Sequence, residues 1–489
     1  MNNKSIKFNA LLNGIRTVLN LIFPLITFPY ISRVLAVDEI GKYNFSNSIV
    51  TYFLLFAVLG IDKYAVREGS KYRCNRKEIS NFASEIFSLN IISTIIAYIL
   101  LFVYLFLSKK ASLYQSCILI LSLQIFFTTL GTEWLFSIFE EYTFITIRSI
   151  AFKLVSIVLL FLFVRKEGDY LIYTWITVFA SVGSNILNFI YAKKFCDIRI
   201  RLFDLDWKRM LSPVLIIFAS NVAIQIYVNA DITMLGYIQG DYMVGIYSVS
   251  SKIYAMVKSV FAAMLVVTIP RFSLYAGKKM KEEYKELLND VLNILLVFII
   301  PAMIGLVILG RDVILIIAGE KYLVANTSLS VLSFSLIFAL LSSLLNQCVL
   351  LPYLRERVFL KSSFISATLN IVLNLFFIPK YGCVGAAITT LISEMMMVII
   401  NIMGSKDILL EFIYKKDILN NIYSVLVGSI IVAGVCLASV KLIQNMMFQM
   451  LAAVVGSVVF YFVFLVCIKN KIIMTYLNNR SRSSKEMHK

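Results

Sequence analysis

Apolar residues run along this chain in blocks about twenty long, separated by short polar segments. Leu11–Leu35, Ile86–Leu107, Val291–Leu309 and Leu451–Cys467 are examples. A helix of that length crosses the hydrocarbon core of a bilayer. The blocks predict an all-α polytopic membrane protein with about fourteen transmembrane helices, over 8–35, 42–66, 79–107, 112–139, 144–164, 170–192, 211–237, 243–268, 287–309, 326–351, 358–378, 381–404, 418–440 and 446–468. The first block is too long for a signal-peptide core and lacks a small-residue cleavage site, so the first helix is expected to be retained.

Two stretches resemble each other at an offset of 204 residues. Ile40–Ile49 aligns with Val244–Ile253; Gly, Tyr, Ser and Ile coincide, and each stretch opens the second helix of a six-helix set. Six being even, both sets enter the membrane in the same direction, which predicts a parallel repeat about an axis along the membrane normal. The expected organisation is a lobe over 1–200 (helices 1–6), a lobe over 201–404 (helices 7–12), an appended pair over 405–468, and a basic tail at 469–489.

Charge then orients the chain. Lysine and arginine total 46 against 28 acids, a net charge of +18. One set of alternate segments, together with both chain ends, holds 30 of the basic residues; the other set holds nine. That bias predicts cytoplasmic termini. The positive charge is spread over alternate short loops, where it meets anionic lipid; a nucleic-acid partner would call for one clustered face. Charged residues make up only 15% of the chain and hydrophobic ones 60%, which excludes an ordinary soluble domain. The seven cysteines form no CxxC pair and fall mostly in apolar blocks, so they read as packing residues. A single histidine, His488, excludes histidine-based catalysis or metal binding inside the membrane.

Polar residues inside the predicted spans carry the functional signal, because a bare charge in hydrocarbon is costly. Helix 1 places Asn13, Arg16, Thr17, Asn20, Pro24 and Thr27 on one face, and helix 7 shows Asn221, Gln225 and Asn229 at steps of four. Helix 8 carries Ser248, Ser251, Lys252, Lys258 and Ser259; helix 11 carries Ser363, Ser366, Asn370 and Asn374. For helix 11 and most serines the plain reading is interhelical hydrogen bonding. For Arg16, Lys252 and Lys258 the reading is functional: lone cations deep in a span suit phosphate or diphosphate, with Asn13 and Asn20 beside Arg16. Lys63, Arg148 and Arg33 lie near span ends and are expected to snorkel. Glu133, Asp231 and Glu394 have two readings, as partners of these cations or as sites for a coupling Na⁺ or H⁺.

No GxxxxGK[ST] motif is present and no hydrophilic segment is long enough for a catalytic domain, so the chain is read as a non-enzyme without a resident cofactor. The run Leu12 to Asn20, then Phe23 to Leu35, resembles the first helix of Wzx-type O-antigen and capsule repeat-unit flippases. Gly41-Lys42-Tyr43, Arg67-Glu68-Gly69, Asp231 through Gly236, Gly245 to Val249 with Lys252, and Gly385 to Ile388 with Glu394 continue the likeness over roughly residues 8–404.

The resemblance implies the multidrug/oligosaccharidyl-lipid/polysaccharide exporter fold: two six-helix lobes in a V around a central cavity, with two further helices. It implies a flippase moving undecaprenyl-diphosphate-linked oligosaccharides across a bacterial cytoplasmic membrane by alternating access, a polysaccharide polymerase acting on the product. Arg16, Lys252 and Lys258 are the positions matching the family's cationic cavity residues, although lysines stand where arginine is expected. The competing readings are a cation-coupled drug antiporter of the same superfamily, a lipid II or teichoic-precursor flippase, and a membrane glycosyltransferase or polymerase.

Overall fold

The computed structural model describes residues 23–201, 207–471 and 473–474. The chain divides into two compact units, up to Ser248 and from Val249 onward. The first unit holds α1 over 23–34, α2 (Val37–Val58), α3 (Ile61–Gly69), α4 (Arg76–Leu107), α5 (Lys109–Leu113), α6 (Gln115–Gly131), α7 (Glu133–Ile138), α8 (Tyr142–Phe163), α9 (Tyr170–Val182), α10 (Asn185–Ala192) and α11 (Trp207–Ile238). It also takes in the first residues of α12 (Asp241–Gly277), and the border therefore falls inside a helix. The second unit continues through α13 (Lys281–Ile317), α14 (Ala325–Leu344) with a π-helical extension Leu345–Leu350, α15 (Glu356–Gly404), α16 (Lys406–Phe412), α17 (Lys415–Leu442) and α18 (Met446–Cys467).

Among the described residues twelve helical segments are long and apolar enough to span a membrane. One of them, the 49-residue α15, is two helices joined at Gly382. There the backbone takes φ 54° and ψ −129°, a combination open to glycine alone, three residues after Pro379. The predicted helix at 8–35 begins outside the described residues; its part from 23 to 34 is helical.

Three expected helices are not continuous; the span predicted at 170–192 is interrupted at Gly183 and Ser184 between α9 and α10. The span predicted at 42–66 breaks at Leu59 and Gly60, both at positive φ, into α2 and α3. The span predicted at 112–139 breaks at Thr132 (φ 43°) into α6 and α7. A break leaves backbone carbonyls that hydrocarbon cannot satisfy. At the end of α2 the neighbouring helix supplies donors: the Asn90 amide and the Ser93 hydroxyl of α4 both donate to the Ala57 carbonyl, at 2.7 and 2.6 Å. Apolar block length carries no trace of such breaks, and for this reason sequence reading missed them.

The helices are polar inward and apolar outward. On α4, Ile95, Ile99, Phe102 and Phe106 form an exposed stripe at steps of four, three and four, while Asn90, Ser93, Thr94 and Ala97 are buried. Lipid competes with apolar side chains for contact, so small and hydrogen-bonding residues hold the interhelical seams.

One seam pins a loop. The stretch after α10 runs extended beside α4, and Ser80, Ser84 and Ser88 accept the backbone N–H groups of Asp197, Arg199 and Arg201 at 3.0, 3.0 and 2.8 Å. The register fits because four helical residues rise about 6 Å and two extended residues advance about 6.6 Å. In the second unit a ladder of buried asparagines ties α13 to α17 and to the residues after α18. Asn293 donates to the Asn289 carbonyl, Asn421 donates to Asn293, and Asn470 donates to Asn421, at 2.8, 3.0 and 3.0 Å.

Candidate functional site

The ionisable residues predicted inside the membrane fall into separate groups. Arg16, Asn13 and Asn20 lie outside the described residues. In the first unit, Glu133 opens α7 just beyond the Thr132 break and accepts from the Arg148 guanidinium of α8 at 3.1 Å. Arg148 also donates to the Ser184 carbonyl at 3.3 Å. Its side chain is only 5% exposed, so Arg148 is held inside the helix cluster and does not snorkel as the sequence suggested. Lys63 and Arg33 do stand exposed. Asp231, buried on α11, accepts from the Tyr247 hydroxyl at 2.7 Å.

In the second unit, Lys258 of α12 meets Glu394 on the second arm of α15 at 3.1 Å. The Glu394 side chain is 3% exposed and that of Lys258 31%, so the carboxylate is enclosed while the lysine side chain is partly open. Tyr254, one turn before Lys258, points its hydroxyl at the same carboxylate oxygen at 3.5 Å, and its ring lies 5.7 Å from the ammonium. Helix geometry makes this trio: residues 254 and 258 are four apart and share a face. Lys252 lies on the same helix, half-buried. The arrangement can trade partners, since a partly open lysine side chain can meet a second anion in place of the carboxylate.

The helix-11 stripe behaves as interhelical glue. Ser363, Ser366, Asn370 and Asn374 are all buried. Asn374 donates to Asn370 at 3.1 Å and accepts from Thr389 of the other arm at 2.5 Å. Helix 7's Asn221, Gln225 and Asn229 stay half-exposed.

Sequence reading missed Asp62, exposed on α3 and within electrostatic reach of Glu133. It also missed the Tyr114–Asp241 pair, in which the hydroxyl donates to the carboxylate at 2.8 and 2.7 Å. No spacing along the chain announces that pair, because its members are 127 residues apart. Outside the spans, backbone N–H groups of Arg165 and Lys166 hold the Asp169 carboxyl below the usual range. Arg355 does the same for Asp407.

Spans with polar seams and charge pairs buried between helices define a polytopic membrane protein of the transporter type. The family model for polysaccharide biosynthesis proteins matches residues 6–276, more than half the chain, and the chain belongs to that family. It is similar to the "Putative O-antigen transporter" of Shigella dysenteriae, 22% identical over 381 residues, covering 78% of this chain and 95% of that protein. It is also similar to the capsular polysaccharide biosynthesis protein CapF of Staphylococcus aureus, 25% identical over 376 residues, with 74% of this chain and 89% of that one covered. Among solved structures it shares the fold of the lipid II flippase MurJ in its inward closed conformation. The TM-score is 0.75 at 17% identity, over 94% of this chain and 99% of that chain.

Proposed function

We propose that this protein is a flippase for polyprenyl-diphosphate-linked oligosaccharides, carrying repeat units from the cytoplasmic to the outer leaflet for surface polysaccharide assembly. Its place is the bacterial cytoplasmic membrane, with both termini cytoplasmic; the 30-to-nine division of basic residues supports this. The observation that carries the reading is the half-open Lys258–Glu394 pair inside the membrane of a chain from a polysaccharide-biosynthesis family. A diphosphate is a stronger partner for an ammonium than a single carboxylate, and competes for Lys258. Lys252 on the same helix and Arg16, outside the described residues, are the further cationic candidates, and the polyprenyl tail stays in lipid.

The work is transport with no bond made or broken by the chain. An inside-negative potential favours outward movement of an anion, and a Na⁺ or H⁺ exchanged at Glu133, Asp231 or Glu394 adds driving force. Displacement of Glu394 from Lys258 leaves a buried carboxylate that favours taking up a cation, which links substrate entry to ion uptake. A polymerase then consumes the unit on the outer face.

The test is depletion of the protein in its host followed by analysis of lipid-linked oligosaccharides. Completed single repeat units on the polyprenyl diphosphate, shielded from outside and accompanied by loss of surface polymer, are the expected result. Units accessible from outside would place the block at polymerisation, and an unchanged lipid pool would point to a drug antiporter.

A further inference from the structure

The internal repeat has a three-dimensional counterpart. With an offset of 204, Val37 corresponds to Asp241 and Gly41 to Gly245. In the structure Gly41 lies directly against the Asp241 backbone carbonyl, and Gly245 directly against the Val37 carbonyl. The contact is reciprocal: the fifth residue of each helix sits on the first residue of the other, the pattern that a two-fold relation produces. A Cβ at either glycine would overlap the opposing oxygen, so only hydrogen at both places lets α2 and the start of α12 approach this closely.

The same segment is fastened on its flanks. Gly236, at the end of α11, rests on the Phe45 ring, which is wholly buried. Lys110 donates to the Gly236 carbonyl and lies 5.6 Å from the Phe45 ring and 5.8 Å from the Tyr237 ring. Tyr114 holds Asp241 through both carboxylate oxygens. Below, Thr233 donates to Ser48 at 3.0 Å. In the proposed topology the turns before α2 and α12 both face outward.

We infer that the reciprocal Gly41–Asp241 and Gly245–Val37 contacts form a latch that shuts the outer end of the substrate path and parts in each transport cycle. The Tyr114–Asp241 and Lys110–Gly236 hydrogen bonds serve as its polar fastening. The inference rests on the transport reading and on its topology. Backbone against backbone suits a latch, because one contact surface without side chains opens and recloses with no rotamers to reorder.

The test uses the full chain in cell membranes, its seven native cysteines replaced, with Gln225→Cys as reporter. Gln225 lies on α11 eleven residues, or about 16 Å, inward of Gly236. Gly41→Leu with Gly245→Leu forbids closure and should raise labelling of that cysteine by an externally added, membrane-impermeant maleimide on the order of tenfold. A second device keeps the test sound where that variant fails to reach the membrane. Ser48→Cys with Thr233→Cys replaces two hydroxyls 3.0 Å apart; oxidation should abolish external labelling of the cysteine at 225, taken as the excess over the same pair without Gln225→Cys, with reduction restoring it. Labelling indifferent to both devices, or no cross-link under oxidant, overturns the latch. Labelling does not depend on which lipid is carried; surface polymer measured in parallel tests the substrate reading separately.

Discussion

Lys258 on α12 and Glu394 on α15 hold each other at 3.1 Å across an interhelical seam of the second unit, 136 residues apart in sequence. An enclosed carboxylate keeps its charge only if a cation stays beside it, because desolvation otherwise favours the protonated form. Lys258→Met therefore strands Glu394 and should destabilise the protein by about 2 kcal/mol, below the range for fully buried pairs because the lysine is partly open. The Lys258→Met/Glu394→Gln double variant should recover at least half of that loss. Thermal unfolding of the four proteins in detergent reads the coupling; strictly additive losses would show that the two groups do not interact.

The serine ladder on α4 makes a graded prediction. Ser84 and Ser88 are buried and Ser80 is partly open, yet each receives one backbone N–H from the 197–201 segment. Ser84→Ala leaves the Arg199 N–H without its partner against a buried stretch of α4, and should cost about 1 kcal/mol. Ser80→Ala should cost less, since water reaches Asp197. Equal effects at the two positions, measured by thermal unfolding, would mean the ladder adds packing and not hydrogen bonding.

Asn421 links two rungs of the asparagine ladder, donating to Asn293 and accepting from Asn470. Asn421→Leu keeps the volume but strands both neighbours, and should destabilise the α17–α18 pair by about 1–2 kcal/mol. Ser424→Ala, at a half-exposed position one turn away whose hydroxyl bonds only within its own helix, is the control and should change little. Limited proteolysis between α16 and α17 measures the release of that pair: faster cutting in Asn421→Leu alone is the expected outcome.

Helix positions were largely legible because a bilayer forces one rule on every span: the predicted blocks 79–107, 170–192 and 446–468 coincide with structural spans to within three residues. Polar seams were legible for the same reason, since Ser363 to Asn374 had to turn inward. The breaks at Gly60 and Thr132 were not, because a left-handed residue leaves the hydropathy of its block unchanged. The burial of Arg148 is not written in its distance from a span end, because its partners Glu133 and Ser184 lie outside its own helix. The pairing of Lys258 with Glu394 was one of two readings; choosing between them needs the packing of α12 on α15. Gly41 and Gly245 were visible as a repeat, but only their backbone contacts give that repeat a physical meaning.

The α15–α16 corner supplies a pH test outside the membrane spans. Arg355 grips the Asp407 carboxylate with both guanidinium nitrogens, at 2.7 and 2.5 Å, and also donates to the Gly404 carbonyl at 2.8 Å. The guanidinium holds the Asp407 carboxyl below the ordinary value of about 3.9. The folded state then binds fewer protons than the unfolded one between the two values, so stability rises with pH through that window. The contribution is complete above about pH 5 and is lost as the pH falls through the lowered value. Asp407 is 65% exposed, so the pair contributes within about 1 kcal/mol. Asp407→Asn should melt slightly below the unsubstituted protein at pH 7, and the gap should shrink as the pH falls below the ordinary carboxylate value. A difference that stays constant down to pH 3 would show that the corner is held by the shape of the side chain and not by its charge.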